Sequence, residues 1–237
     1  MPSSWAKARP LLAAVFLLAG CAKETTDFTS GTEPWEDSAA APSEWPAWPA
    51  TAGSLAVQTG SRLGSGDVPS HYWAHGRLVL ASPIASFWEA LQGRPGAIIA
   101  VYPDTPTVDC EPIVAPEPQY ELSLGVREIP NDFGALGRAN WFRVDWRGST
   151  TRDAGGAITR VNVRAQKVDG TTYVALMRNS VVATPAPGGG TALEIVRQIN
   201  APDESEQSAR EWIELWLAAV GSQLGGAPIL PLATCWP

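Results

Sequence analysis

From residue 71 onward the hydrophobic positions recur with two periods, and the switches between them mark out a string of elements. The stretch "HYWAHGRLVLASP" reads as a strand, with Leu78 and Leu80 on one side and Val79 on the other. In "SPIASFWEALQG" the spacing changes to that of a helix. Ser82 suits the N-cap, Pro83 the first turn and Gly93 the stop, and Ile84, Phe87, Trp88 and Leu91 form one stripe. "GAIIAVYP" fits either a short helix or a strand. Alternation then returns. Tyr120, Leu122, Leu124 and Val126 oppose Glu121, Ser123 and Arg127. Phe142, Val144 and Trp146 oppose Arg143, Asp145 and Arg147, and Val161, Val163 and Ala165 oppose Asn162, Arg164 and Gln166. Asp169-Gly170 is a two-residue hairpin signal leading into "TYVALMRNSVVAT". After "PAPGGG" comes a last strand, with Leu193, Ile195 and Ile199 on one face. The chain returns to helical spacing at Trp212, Leu215, Trp216, Ala219, Val220 and Leu224. Asp203 and Glu206 have capping-box spacing before that helix, and Gly225-Gly226 ends it. The pattern predicts an α+β fold, an antiparallel meander with one wet face and a long amphipathic C-terminal helix that needs a sheet to cover it.

This order resembles the START-type helix-grip superfamily, also called SRPBCC or polyketide-cyclase-like. In that family a first strand leads into a Pro-initiated helix of the form found here at Ser82 to Leu91. The likeness covers residues 71–224. It implies a curved antiparallel sheet of six to seven strands gripping the C-terminal helix, with an apolar cavity between them. Six strands are plain in this chain; "DCEPIV" or "AIIAVYP" supplies a seventh. The family binds sterols, lipids, polyketides and other apolar ligands, and some members are cyclases, hydrolases or oxygenase subunits. The inward faces name the residues expected to line the cavity or fill the core: Trp88, Leu122, Leu124, Phe142, Val144, Trp146, Val163, Leu176, Ile195, Trp212 and Trp216. No polar residue stands out among them, so no catalytic set and no cofactor is expected. Arg143, Asp145, Arg147, Arg160 and Arg164 read as a solvent-facing charge ladder on two adjacent strands.

The N-terminal part is built differently. Lys7 and Arg9 precede the apolar run Leu11 to Cys21, which is too short for the about 20 residues of a membrane span. Position and charge read as a secretory signal. Leu18-Ala19-Gly20-Cys21 resembles the bacterial lipobox, which implies cleavage before Cys21, acylation of its thiol and attachment to the cell envelope. Ala22 in place of an Asp points to the outer membrane, facing the periplasm or the cell surface. Residues 21–70 then read as a lipidated tether rich in Pro, Ser and Ala, and residues 71–237 as the folded domain with its tail. Trp35, Trp45 and Trp48 interrupt the tether, as a docking motif for an envelope protein, packed back on the chain's own domain, or lying at the membrane interface.

Charge and cysteines narrow the function further. A net charge of −7 argues against nucleic acid, whose phosphates need a basic surface. Of three Cys, Cys21 is taken by lipidation, which leaves Cys110 and Cys235 to pair in an oxidising compartment. His71 and His75 are the chain's two His, but no third ligand accompanies them and a strand would hold them far apart, so no metal site is expected. The chain holds no G-x-S-x-G elbow, and "GSGD" lacks the strand-turn-helix setting of a phosphate loop.

Overall fold

The computed structural model describes residues 23–35, 45–50, 52–93, 107–112, 118–132 and 139–224. Its strands are β1 (Lys23–Thr25), β2 (Leu55–Arg62), β3 (His71–Leu80), β4 (Thr107–Pro112), β5 (Leu122–Asp132), β6 (Ala139–Arg152), β7 (Ile158–Thr171), β8 (Leu176–Pro185) and β9 (Thr191–Asn200). Helix α1 (Ile84–Gly93) follows β3, and α2 (Glu206–Leu224) closes the described chain. All strand pairings are antiparallel, in the order β2-β3-β9-β8-β7-β6-β5-β4, with β1 added beside the end of β7. Helix α2 lies on β2, β3 and β9, while α1 lies on β7 and β8 and meets α2. The sheet grips the C-terminal helix.

The apolar stripe of α2 explains the arrangement. Ala209, Trp212, Ile213, Trp216, Leu217 and Val220 are all buried, at i, i+3, i+4, i+7, i+8 and i+11. Fully burying one such large side chain stabilises by about 1.5–3 kcal/mol. Two glycines let the helices approach. They sit on one row of the sheet, Gly148, Val163, Val181, Ile195 and Gly76, each the register partner of the next. A Cβ on Gly76 would stand 2.7 Å from Ile213 Cγ2 and 3.2 Å from Ile195 Cγ2. A Cβ on Gly148 would stand 3.2 Å from the Trp88 ring. So α2 seats at one end of the row and α1 at the other.

The structure corrects several sequence expectations. Among the described residues it has nine strands, two beyond the seven that the sequence allowed. β4 is the seventh strand, which the sequence offered at "DCEPIV"; β1 and β2 come from the stretch read as a tether, so the folded domain begins well before residue 71. Asp169-Gly170 is not the hairpin turn: both belong to β7, and the chain turns after Thr171. Gly170 has φ 131°, and a Cβ there would lie 2.4 Å from the Trp141 carbonyl oxygen, so a close approach to β6 requires this glycine. The start of α2 is capped by Ser205, whose Oγ accepts from Ser208 N at 3.1 Å while Ser208 Oγ accepts from Ser205 N at 2.8 Å. Asp203 instead accepts a hydrogen bond from the Tyr173 hydroxyl. Leu215 faces out, and Ile213 and Leu217 take its place in the stripe.

Cys110 lies in β4 opposite Val126. Cys21, Cys235 and the apolar run before Cys21 lie outside the described residues, as does "AIIAVYP". No helix among the described residues is long and apolar enough to cross a membrane.

Replacing Gly76 by Ala tests the seating of α2. The nearest atom is a branch methyl of a β-branched side chain, which has little rotamer freedom to yield. The expected outcome is a loss of about 1–3 kcal/mol in chemical denaturation, the range for overpacked cores. An unchanged midpoint would mean that α2 does not sit on β3 at this distance.

Candidate functional site: the inner face of the sheet

Ten of the eleven expected interior residues join one buried cluster: Trp88 from α1, Leu122 and Leu124 from β5, Phe142, Val144 and Trp146 from β6, Val163 from β7, Ile195 from β9, and Trp212 and Trp216 from α2. Leu176 does not. It alternates with Met177 on β8, which takes the core position, and lines a cleft of about 140 Å³ with Glu24, Thr26, Lys167 and Arg178. One residue of register decides which face a strand side chain serves.

Polar residues also reach this inner face, against expectation. One row across the sheet reads Leu124, Trp146, Ala165, Asn179, Arg197 and Ala74, each the register partner of the next. Asn179 has zero exposure and Arg197 has 3 %. Neither Asn179 amide atom has a hydrogen-bond partner among the described residues; the same holds for Arg197 Nε and Nη1 and for the indole nitrogens of Trp146 and Trp216. Arg197 Nη2 lies 3.8 Å from Glu204 Oε1, beyond hydrogen-bond reach, and its guanidinium covers the Trp212 ring at 4.4 Å. Trp212 in turn stacks on Trp216, ring centroids 6.4 Å apart.

Two further buried charged groups lie away from that row. Lys167 is satisfied: its Nζ donates to Val174 O at 2.6 Å and Thr171 O at 3.1 Å, and lies 3.4 Å from Glu24. Burial pushes its ammonium below the usual lysine range, and Glu24 only partly offsets this. Glu128, buried opposite Phe142, is four strands from Arg197. The signal for Asn179 and Arg197 was in the sequence. Each has the parity of its strand's core residues, Val181 and Ala183 on β8 and Ile195 and Ile199 on β9.

The outer face is not a solvated ladder. Arg147, Arg164 and Asp145 are buried there, because the N-terminal segment crosses over them. Beyond β1, Thr26 N donates to Val168 O at 2.8 Å and Thr29 N to Gln166 Oε1 at 2.9 Å; Arg164 donates to Glu33 O at 2.7 Å and Ser30 O at 3.1 Å. Trp35 is 7 % exposed, held between the guanidinium groups of Arg164 at 4.1 Å and Arg178 at 4.5 Å. Arg77 lies over both Trp45, at 5.2 Å, and Trp48, at 4.8 Å. Of the three candidate docking residues, only Trp48 is substantially exposed. The Trp-Pro stretch therefore packs on its own domain, the second of the three readings open from sequence.

The two histidines also serve this outer face. His71 Nδ1 is 2.9 Å from Pro69 O and its Nε2 is 3.1 Å from Gln198 Nε2. His75 has zero exposure, with Trp45 edge-on and Glu194 Oε2 at 3.4 Å. Among the described residues no group of three or more His, Cys, Asp or Glu could hold a metal ion.

A curved antiparallel sheet around a C-terminal helix, with a Pro-initiated helix after β3, defines the fold. This is the helix-grip arrangement. Similar solved structures include a STAR-related lipid transfer protein from Xanthomonas axonopodis, at 15 % identity over 76 % of this chain and 98 % of that one, TM-score 0.47. Human StAR-related lipid transfer protein 5 is similar at 13 % identity over 78 % and 88 %, TM-score 0.49. The Zhui aromatase/cyclase from Streptomyces sp. R1128 is similar at 15 % identity over 72 % and 92 %, TM-score 0.37. No family model matches the chain, and no curated protein matches it.

Glu194 supplies a pH test of the outer face. Arg77 Nε and Nη2 each lie 2.7 Å from its Oε2. Burial pushes its carboxyl up, but His75 and Arg77 outweigh this and hold it below the usual carboxylate range. A carboxyl depressed in the folded state stabilises above its unfolded pKa, and that contribution is lost as pH falls through the folded value. Glu194→Gln is therefore less stable than the native protein at neutral pH, and the gap narrows in acid below the ordinary carboxylate range. Denaturant unfolding across that range measures it; a gap independent of pH would contradict the assignment.

Proposed function

We propose that the domain holds an apolar small molecule or lipid between the inner face of the sheet and the two helices. The observation that carries this reading is the set of orphaned polar atoms on the inner face: both amide atoms of Asn179, two guanidinium nitrogens of Arg197 and the indole nitrogens of Trp146 and Trp216. Buried polar groups in folded proteins are almost always hydrogen-bonded, and each one left unmade costs about 1–3 kcal/mol. A guest with an apolar body and a few polar atoms accounts for both the walls and the orphans, the composition usual in ligand sites. Ala74 and Ala165 flank the polar pair on its row. A polarity-sensitive apolar dye is expected to bind the purified protein stoichiometrically, to quench its Trp emission and to be displaced by lipid extract. No saturable binding would contradict the reading.

The finer part of the proposal concerns location. The protein is a lipid-anchored component of a bacterial cell envelope, acylated on Cys21 and probing the compartment outside the cytoplasm, where Cys110 and Cys235 pair. The support is the sequence from Lys7 to Cys21, with its basic start, its short apolar run and its lipobox-like end. Because Lys23 is already paired with Thr171 in β1, Ala22 alone would separate the acylated residue from the sheet. The domain of an acylated chain thus rests on the bilayer and is not held off by a long leash. Expression of Cys21→Ser is expected to abolish incorporation of labelled fatty acid and release the protein from membranes. Unchanged labelling and fractionation would contradict the anchor.

A further inference from the structure

Within that interior, Arg197 is a guanidinium with little to neutralise it. It is 3 % exposed, its Nη2 stands 3.8 Å from Glu204, and Nε and Nη1 have no hydrogen-bond partner among the described residues. Removing a charge from water costs several kcal/mol unless good partners replace the lost hydration. The Trp212 ring, 4.4 Å from the guanidinium carbon, covers one face of the fork and restricts its rotation. Directly opposite on β8 stands Asn179, fully buried, with both amide atoms orphaned among the described residues. The next residues along the row are Ala165 and Ala74, so neither neighbour reaches over the pair.

The geometry points to a binding site for the anionic head of an amphiphile, with a carboxylate held by Arg197 and Asn179 and its apolar body lying toward Trp146 and Trp216. This inference rests on the reading of the interior as a ligand site and names the ligand class. A guanidinium presents its N–H donors in a planar fork that matches the two oxygens of a carboxylate. The Asn179 amide adds one more donor. A single guanidinium, partly balanced by Glu204, calls for a monoanion. A neutral ester or alcohol leaves the charge without a counter-ion and some donors unmade.

The test compares lauric acid with methyl laurate, equal in chain length and different only at the head. Each displaces an apolar dye from the full chain. The acid is expected to displace at a concentration at least about tenfold lower than the ester, the ratio set by charge-assisted hydrogen bonds in a dry site. Arg197→Met is expected to bring the two ligands to equal potency by weakening the acid alone. Asn179→Leu is expected to reduce the ratio in part. Equal potency of acid and ester on the native protein would overturn the anionic head group while leaving the apolar-ligand reading intact. Failure of the dye and both ligands to bind would overturn the two together. Should Arg197→Met not fold, the ratio on the native protein and the Asn179→Leu variant still decide.

Discussion

A nineteen-residue helix with two stacked indoles and four smaller apolar residues in one stripe cannot stand in water, and the rest of the domain is arranged around covering it. The sheet does so along one side only. Helix α2 is seated on β2, β3 and β9, where Gly76 has no side chain to hold it off, and α1 is seated over β7 and β8, with Trp88 against Gly148. Beside the row that ends in those two glycines, two residues along each strand on the same face, runs the row holding Trp146, Ala165, Asn179 and Arg197. The same constraint that buries α2 therefore encloses the polar pair. A sheet packed flat on one helix would expose Arg197 to water, where it would need no partner.

The opposite face has its own cover. Arginines on alternating positions of β6, β7 and β8 would form a strongly basic surface, yet the chain lays aromatic residues and backbone carbonyls over them. Trp35 between Arg164 and Arg178, Trp45 and Trp48 against Arg77, and Phe28 and Tyr120 against Arg147 repeat one device. Each such contact contributes about 0.5–2 kcal/mol, more where water is excluded. Carbonyls of Ser30, Glu33 and Pro46 take the remaining guanidinium donors. This accounts for Trp in a segment whose overall composition is that of a linker. It also binds the two faces of the function together, since the strap that covers the sheet begins directly after the residue proposed to carry the acyl chains.

Most of the fold was legible because period-two alternation survives wherever one face is covered by helices. The strands from β5 to β9, the stripe of α1 and the long C-terminal helix all follow from it. What was not legible had specific causes. β2 holds Gln58, Thr59, Gly60 and Ser61, an edge strand with too few apolar residues to declare a period. β1 is three residues long and is fixed by pairing across more than a hundred positions. Asp169-Gly170 carries a strong local turn signature, but Gly170 is needed for the close approach to Trp141. Leu176 was placed by hydrophobicity when the register of β8 gives the core to Met177. The largest omission was in the site itself: attention to apolar residues passed over Arg197 and Asn179, although each lies an even number of positions from a core residue of its own strand.

The account stands on the claim that those two side chains meet a guest and not the chain's own groups. A high-resolution crystal structure of the protein as purified, without added ligand, measures this directly. The account predicts elongated density in the interior, with its polar end within hydrogen-bond distance of Arg197 and Asn179 and its body against Trp146 and Trp216. An interior filled by protein side chains, with Arg197 and Asn179 hydrogen-bonded to them, would contradict it.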